Sequence, residues 1–261
     1  MSEPFPNRAR AAFTIVELLV VVSLIVLLIA LLLPTLGQAR QRVRAVICKS
    51  NLRQLGFALK LYRNDTRHYT GAHTWGTAGH GGVWIVWPAR LRTYTGPEAD
   101  VFWCPIADPT TKWDMLRINP GLNLPAEWGY EANEIRLVPG TGFSDGYNNW
   151  GTHDFAIPQR GLGGLAGAYD NPPDPNTVHW GELPEAQVKA PSHMFAIGDS
   201  SINGSWDAFI DHNQPPEYPA YRHFDDTHIL FCDGNVRELT FAETITGTPD
   251  EMARWNNDNK P

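Results

Sequence analysis

Two hydrophobic rhythms divide the chain. From Phe13 to Leu33 apolar positions run almost without a break, and Thr14, Glu17 and Ser23 are the only polar side chains in the run. Its length matches the ~20 residues a helix needs to cross a hydrocarbon core. After Pro34 the pattern changes. Leu36, Val43, Ile47, Leu52, Leu55, Leu59 and Tyr62 recur at spacings of three, four, five or seven, interleaved with Arg and Lys. That spacing predicts an amphipathic helix continuing the first, so that residues 13–62 form one rod of roughly 75 Å at 1.5 Å per residue. Pro34 removes one helical hydrogen bond and is expected to bend or loosen the rod.

Residues 63–261 read as short strands joined by long loops. "GVWIVWPARLRTYTG" offers a short apolar run, a helix start at Pro88 and a stop at Gly96. "DVFWCP", "GYEANEIRLV" and "HMFAIGDS" read as strands. The density of Gly, Asn and Pro between Phe143 and Val178 predicts loops. In "THILFCDGNVREL" the pair Asp233-Gly234 separates two apolar-rich runs, the signature of a β-hairpin. "PDEMARWNNDNK" closes the chain as a short helix. The predicted class is α+β: a long N-terminal helix whose apolar stripe is buried against a small antiparallel sheet.

Charge sharpens this division. Residues 1–63 carry nine Lys/Arg against two Asp/Glu, and residues 64–261 carry twelve against twenty-six. Arg8 and Arg10 precede the apolar run, which keeps the N-terminus in the cytoplasm and sends the acidic body across the membrane. An acidic body argues against nucleic acid as a partner, because that binding depends on neutralising phosphates. Three cysteines are too few for a disulfide framework and leave room for one bridge in an oxidising compartment.

The first sixty residues resemble the type IV pilins and type II secretion pseudopilins. The matching residues are a short basic leader ending at Ala12, then Phe13, then "TIVELLVVVSLIVLLIALLLP", with Glu17 four positions after Phe13 and Pro34 beyond the apolar run. The family usually has Gly where Ala12 stands. The resemblance implies that a prepilin peptidase cuts between Ala12 and Phe13, that the new amine is methylated, and that residues 1–12 are lost. It further implies a pilin-like fold, with residues 13–33 as the transmembrane and polymerisation segment and 63–261 as the extracytoplasmic domain. Glu17 of one subunit would then neutralise the Phe13 amine of the next, which gives a physical reason for an ionisable group in lipid. His223 followed nine residues later by Asp233-Gly234, with "CKSNLRQLGFALKLY" and "FWCP", resembles large pilin-like proteins of planctomycete-type bacteria that share an H-x9-DG signature. The implied function is a structural subunit of a pilus or pseudopilus filament, not an enzyme, anchored once in the inner membrane with other pilin subunits as partners. The alternative is a tethered extracytoplasmic binding or enzymatic domain that never polymerises.

Several constellations in the body carry candidate chemistry. Asp199, Asp225, Asp226 and Asp233 are candidate oxygen ligands for calcium, though no twelve-residue calcium loop is present. Apart from that calcium, no cofactor is expected. Cys48 and Cys104 are candidates for one disulfide tying helix to sheet. His223 and His228 lack the spacing of a helical zinc pair, and His223 is expected to hydrogen-bond the hairpin turn. Ser200 after Gly-Asp, with Asp225 and His228 downstream, has the residue types of an esterase triad but neither its order nor its separation. Trp84, Trp87 and Trp103 are read as core residues rather than a sugar platform.

Overall fold

The structure is a computed structural model. It describes residues 14–71, 73–75, 83–96, 99–109, 112, 118–119, 124–125, 130–131, 143–148, 161–162, 182–201, 209–212 and 215–260. Ala12, Phe13 and the leader lie outside the described residues, as do most of the middle segment and its expected loops. Two compact units are present, residues 1–43 and 44–261.

Helix α1 runs from Ile15 to Thr66 and includes Pro34, without a break in its helical assignment. Thr14 caps it. The Thr14 N–H and hydroxyl donate to Glu17 at 2.9 and 2.8 Å, and the Glu17 N–H donates back to the Thr14 hydroxyl at 3.2 Å. This is a capping box, which satisfies otherwise unpaired donors of the first turn. Every large apolar side chain from Ile15 to Leu33 is exposed. This segment is long and apolar enough to cross a membrane.

In the second unit α1 becomes one-sided. Cys48, Leu52, Leu55, Ala58, Leu59 and Tyr62 are buried at helical spacing, whereas Phe57 and Leu61 are exposed. Among the described residues twelve short strands follow: β1 His68–Tyr69, β2 His73–Trp75, β3 Val83–Val86, β4 Ile118–Asn119, β5 Leu124–Pro125, β6 Tyr130–Glu131, β7 Asp145–Asn148, β8 Leu183–Pro184, β9 Phe195–Asp199, β10 Phe209–Ile210, β11 Thr227–Phe231 and β12 Val236–Leu239. Helix α2 spans Trp87–Thr95 and α3 spans Pro249–Trp255. Gly96 follows α2 at φ 85°, the left-handed conformation that commonly ends a helix.

The principal sheet has the order β10-β7-β9-β11-β12, antiparallel except for the β10–β7 pair. Small antiparallel sheets β2-β3-β6, β1-β8 and β4-β5 accompany it. The class is α+β, with a mixed rather than purely antiparallel main sheet. Side chains alternate along β11, where Leu230 joins the α1 stripe while Ile229 and Phe231 join a second cluster with Trp255 of α3. On β9 the register shifts opposite Leu230 and Phe231, and Ile197 joins the first cluster while Phe195 joins the second. The hairpin β11–β12 closes through Cys232-Asp233-Gly234. Gly234 stands at φ 97°, and Phe231 N–H donates to Asn235 O at 2.8 Å. That is a three-residue turn needing Gly at its left-handed position. The Asp233 carboxylate accepts the Asn235 N–H at 2.9 Å, completing the turn.

Two expectations are corrected. "DVFWCP" is not a strand: Ala99–Phe102 is a 3-10 turn, and Cys104-Pro105 starts another turn closed by Ala107 N–H to Cys104 O at 2.9 Å. Proline at the second turn position favours that closure. Within the expected loop region, Asp145–Asn148 is a wholly buried strand between β9 and β10. Its composition, DGYN, is poor in strand formers, so pairing on both edges overrides propensity. Gly146 is required there: a Cβ would lie 2.4 Å from the backbone carbon and oxygen of Phe209.

Candidate functional site

The principal sheet ends in a buried cluster of chemically reactive side chains. Asp199 is the last residue of β9, and across the register Asp145 of β7 is its partner. His223 precedes β11 in a two-residue reversal, pairing with Asp226 through backbone hydrogen bonds of 3.0 and 3.1 Å. Phe224 and Asp225 at its tip have φ of 56° and 69°. Two successive non-glycine residues in the left-handed region are costly, and such strain persists only where surrounding structure holds it. Cys48 comes from the buried stripe of α1. One turn later, Asn51 donates to Asp100 O and Trp103 O, both at 3.1 Å, which fastens the Cys104 segment to the helix. Cys104 N–H donates to Ser144 Oγ at 2.6 Å.

The outcome is a group in which one ligating atom from each of Cys48, Cys104, Asp199 and His223 lies within 4.8 Å of every other, all four residues buried. The Cys48 thiol lies 3.6 Å from Asp199 Oδ1, and Cys104 Sγ lies 3.4 Å from His223 Nε2. The same His223 nitrogen is 3.3 and 3.2 Å from the two Asp199 oxygens. Asp199 Oδ2 accepts the His228 backbone N–H at 2.8 Å. Arg222 Nε stands 3.9 Å from Asp199 Oδ1, and its guanidinium donates to the Ser200 carbonyl.

This packing sorts the protons. The hydrogen bond from Cys48 outweighs burial at Cys104, and with His223 and the charge of Arg222 brings its thiol down to about 5. Cys48 moves upward, because it donates to Cys104, is buried and faces Asp199. Burial opposes charge on His223, but hydrogen bonds to Asp199 and Cys104 prevail and hold it at about 9. Burial also opposes charge on Asp199, and there the His223 bond and the Arg222 charge keep it ionised. Asp145 is raised by burial and by the charge of Asp199. His228 stacks on His223, with ring centroids 3.8 Å apart, and burial pushes it down to about 4. Its Nε2 lies 3.3 Å from Glu238, which also accepts Lys49 at 2.6 Å.

The structure therefore gathers residues that the sequence distributes over separate hypotheses. Cys48 and Cys104 come together, as a disulfide would require, but all three cysteines are free thiols. The two thiols are linked by a hydrogen bond, and each also has a further partner, Asp199 for Cys48 and His223 for Cys104. Of the aspartates proposed for calcium, Asp199 alone joins the cluster. Asp225 and Asp233 are exposed, and Asp226 is half-buried in its turn. The His223 ring faces Asp199 and Cys104, not the Asp233-Gly234 turn as expected. Ser200 Oγ donates to Phe209 O at 3.1 Å, so it is placed away from an esterase role with His228. Trp87 is buried against Phe102 and Tyr147, and Trp103 is half-buried under Lys112. Asp145 escaped sequence reasoning because its strand carries no apolar alternation. Glu17 and Pro34 lie in α1 of the first unit. Compared with known proteins, the chain matches no family model, no curated protein and no solved structure.

Proposed function

We propose that this protein is a single-pass membrane subunit that assembles through its N-terminal helix into a pilus- or pseudopilus-type filament, after loss of residues 1–12. The observation that carries the reading is the first unit of α1. Its apolar side chains are exposed along its whole length, yet one carboxylate, Glu17, interrupts them one turn from the start. A solvated helix would not expose so much apolar surface, and an ionisable group in lipid is costly unless it is paired. Pairing Glu17 with the Phe13 amine of a neighbouring subunit accounts for both features and for the basic leader before them.

The capping box gives Glu17 a second, purely local role, and one substitution separates the two. Glutamine serves the N3 position of a capping box as glutamate does, but carries no charge. Under the filament reading, Glu17→Gln leaves membrane insertion and helix content intact and abolishes cross-linkable oligomers in the membrane. The N-terminal peptide of wild-type protein, read by mass spectrometry, begins at N-methylated Phe13. Unimpaired assembly of the Gln variant, or an intact Met1 terminus in cells with active prepilin peptidase, turns the conclusion to a tethered domain that does not polymerise.

A further inference from the structure

The cluster in the second unit has a use that neither anchoring nor polymerisation requires. Four side chains capable of binding a metal converge from points far apart in the chain: Cys48 in α1, Cys104 in a turn, Asp199 at the end of β9 and His223 in the reversal before β11. Zinc holds thiolate sulfur at about 2.3 Å, imidazole nitrogen at about 2.0–2.1 Å and carboxylate oxygen at about 2.0–2.2 Å in a tetrahedron. Neighbouring ligand atoms then stand about 3.6 Å apart for sulfur and oxygen, slightly less for sulfur and nitrogen, and about 3.4 Å for nitrogen and oxygen. The observed separations are 3.6 Å from Cys48 to Asp199, 3.4 Å from Cys104 to His223, and 3.2–3.3 Å from His223 to Asp199. Three of the six edges of such a tetrahedron are therefore matched to within about 0.2 Å, and all four ligand atoms lie within 4.8 Å of one another.

We propose that Cys48, Cys104, Asp199 and His223 bind one zinc ion, which staples α1 to the principal sheet and to the turn at Cys104. Donor chemistry selects the ion. Two thiolates and an imidazole suit zinc, whereas calcium and magnesium take oxygen ligands. Charge also closes: two thiolates and one carboxylate are balanced by a divalent cation and the Arg222 guanidinium beside Asp199. The outer contacts orient the set. His228 N–H occupies Asp199 Oδ2 and leaves Oδ1 toward Cys48, while Ser144 fixes the backbone of Cys104. Four protein ligands in a buried site leave no open coordination position, so the ion is structural rather than catalytic. The inference is independent of whether the chains polymerise.

The test is the metal content and spectrum of the full chain, purified in detergent without chelator. Mass spectrometry of the dissolved metal is expected to return one zinc per chain. Exchange with cobalt(II) is expected to give tetrahedral d–d bands and a thiolate-to-cobalt charge-transfer band. Asp199→Asn is expected to weaken binding beyond the roughly 10–100-fold typical of a lost outer contact. His228→Gln, altered beside the site but not in it, keeps one zinc per chain. Cys48→Ser is expected to lose the metal, and the wild-type cobalt spectrum still decides the matter if that variant does not fold. Wild-type protein without stoichiometric zinc, a Cys48–Cys104 disulfide resistant to alkylation, or cobalt bound without thiolate bands would overturn the proposal.

Discussion

Leu55 offers the sharpest test of how the helix and the sheet hold together. It is 0% exposed in the α1 stripe, whereas Phe57, two residues later, is 69% exposed on the other side of the same helix. Both substitutions to Ala leave a good helix former in place, so propensity contributes little to the difference. Removing the Leu55 side chain leaves a void in a core it shares with Leu52, Leu59, Ile197 and Leu230. Fully buried Leu→Ala changes cost about 2.7–5.0 kcal/mol, with the upper values where neighbours cannot collapse. A helix held on a sheet by many other contacts is such a site, and about 4 kcal/mol is expected. With a urea dependence of about 2 kcal/mol per molar, the midpoint falls by about 2 M. Phe57→Ala should change stability by no more than about 0.5 kcal/mol in the monomer. Urea titration of detergent-solubilised full chain, followed by fluorescence of buried Trp87 and Trp255, reads both. A loss under 1 kcal/mol at Leu55, or an equal loss at Phe57, would refute the assignment of the buried face.

Two further expectations concern the sheet. Gly146→Ala drives a Cβ to 2.4 Å from the Phe209 backbone, which has no rotamer by which to yield, so the β7–β10 pairing should fail at a cost of about 3 kcal/mol or more. Calorimetry will show this as a lower Tm, whereas Gly37→Ala, with nothing within 4 Å of its Cβ, should lose none. The second expectation is pH dependence. His228 is neutral in the fold down to about 4, while the unfolded chain takes up its proton near the ordinary value of about 6.5. Its contribution is therefore whole above pH 6.5 and is lost as pH falls toward 4. His223, raised to about 9, gains stability as pH falls toward 6.5 and offsets His228 between pH 7 and 6, so the loss shows below pH 6. In metal-free protein, urea midpoints at pH 6, 5.5 and 5 should fall for wild type and fall less for His228→Asn; parallel slopes would refute the account.

Local chemistry made some of this structure legible and long-range pairing hid the rest. The hairpin is readable because Asp233-Gly234 fixes the turn and apolar residues flank it. The α2 boundaries are readable from Pro88 and Gly96, and the α1 stripe from its period. The strand Asp145–Asn148 is not, because its stability comes from β9 and β10 rather than from its own residues. The cluster was legible only in fragments. Cys48, Cys104, Asp199 and His223 each attracted a hypothesis, but separations of tens of residues carry no geometric information. The packing of α1, the Asn51 and Ser144 contacts that hold the Cys104 segment, the register of β9 against β11 and the turn that pins His223 bring them together.

The order in which the core is assembled has a consequence for biogenesis. The α1 stripe is finished at Tyr62, yet the strands that cover it, carrying Ile197 and Leu230, lie about 140 to 170 residues further along. At about 5–20 residues per second of synthesis, the stripe waits on the order of 10–30 s for its lid. Throughout that interval a nascent chain presents Leu52, Leu55 and Leu59 bare, beside an apolar segment long enough to cross a membrane. Shielding of that stripe during synthesis, as by a holdase, is then expected to raise the yield of folded chain.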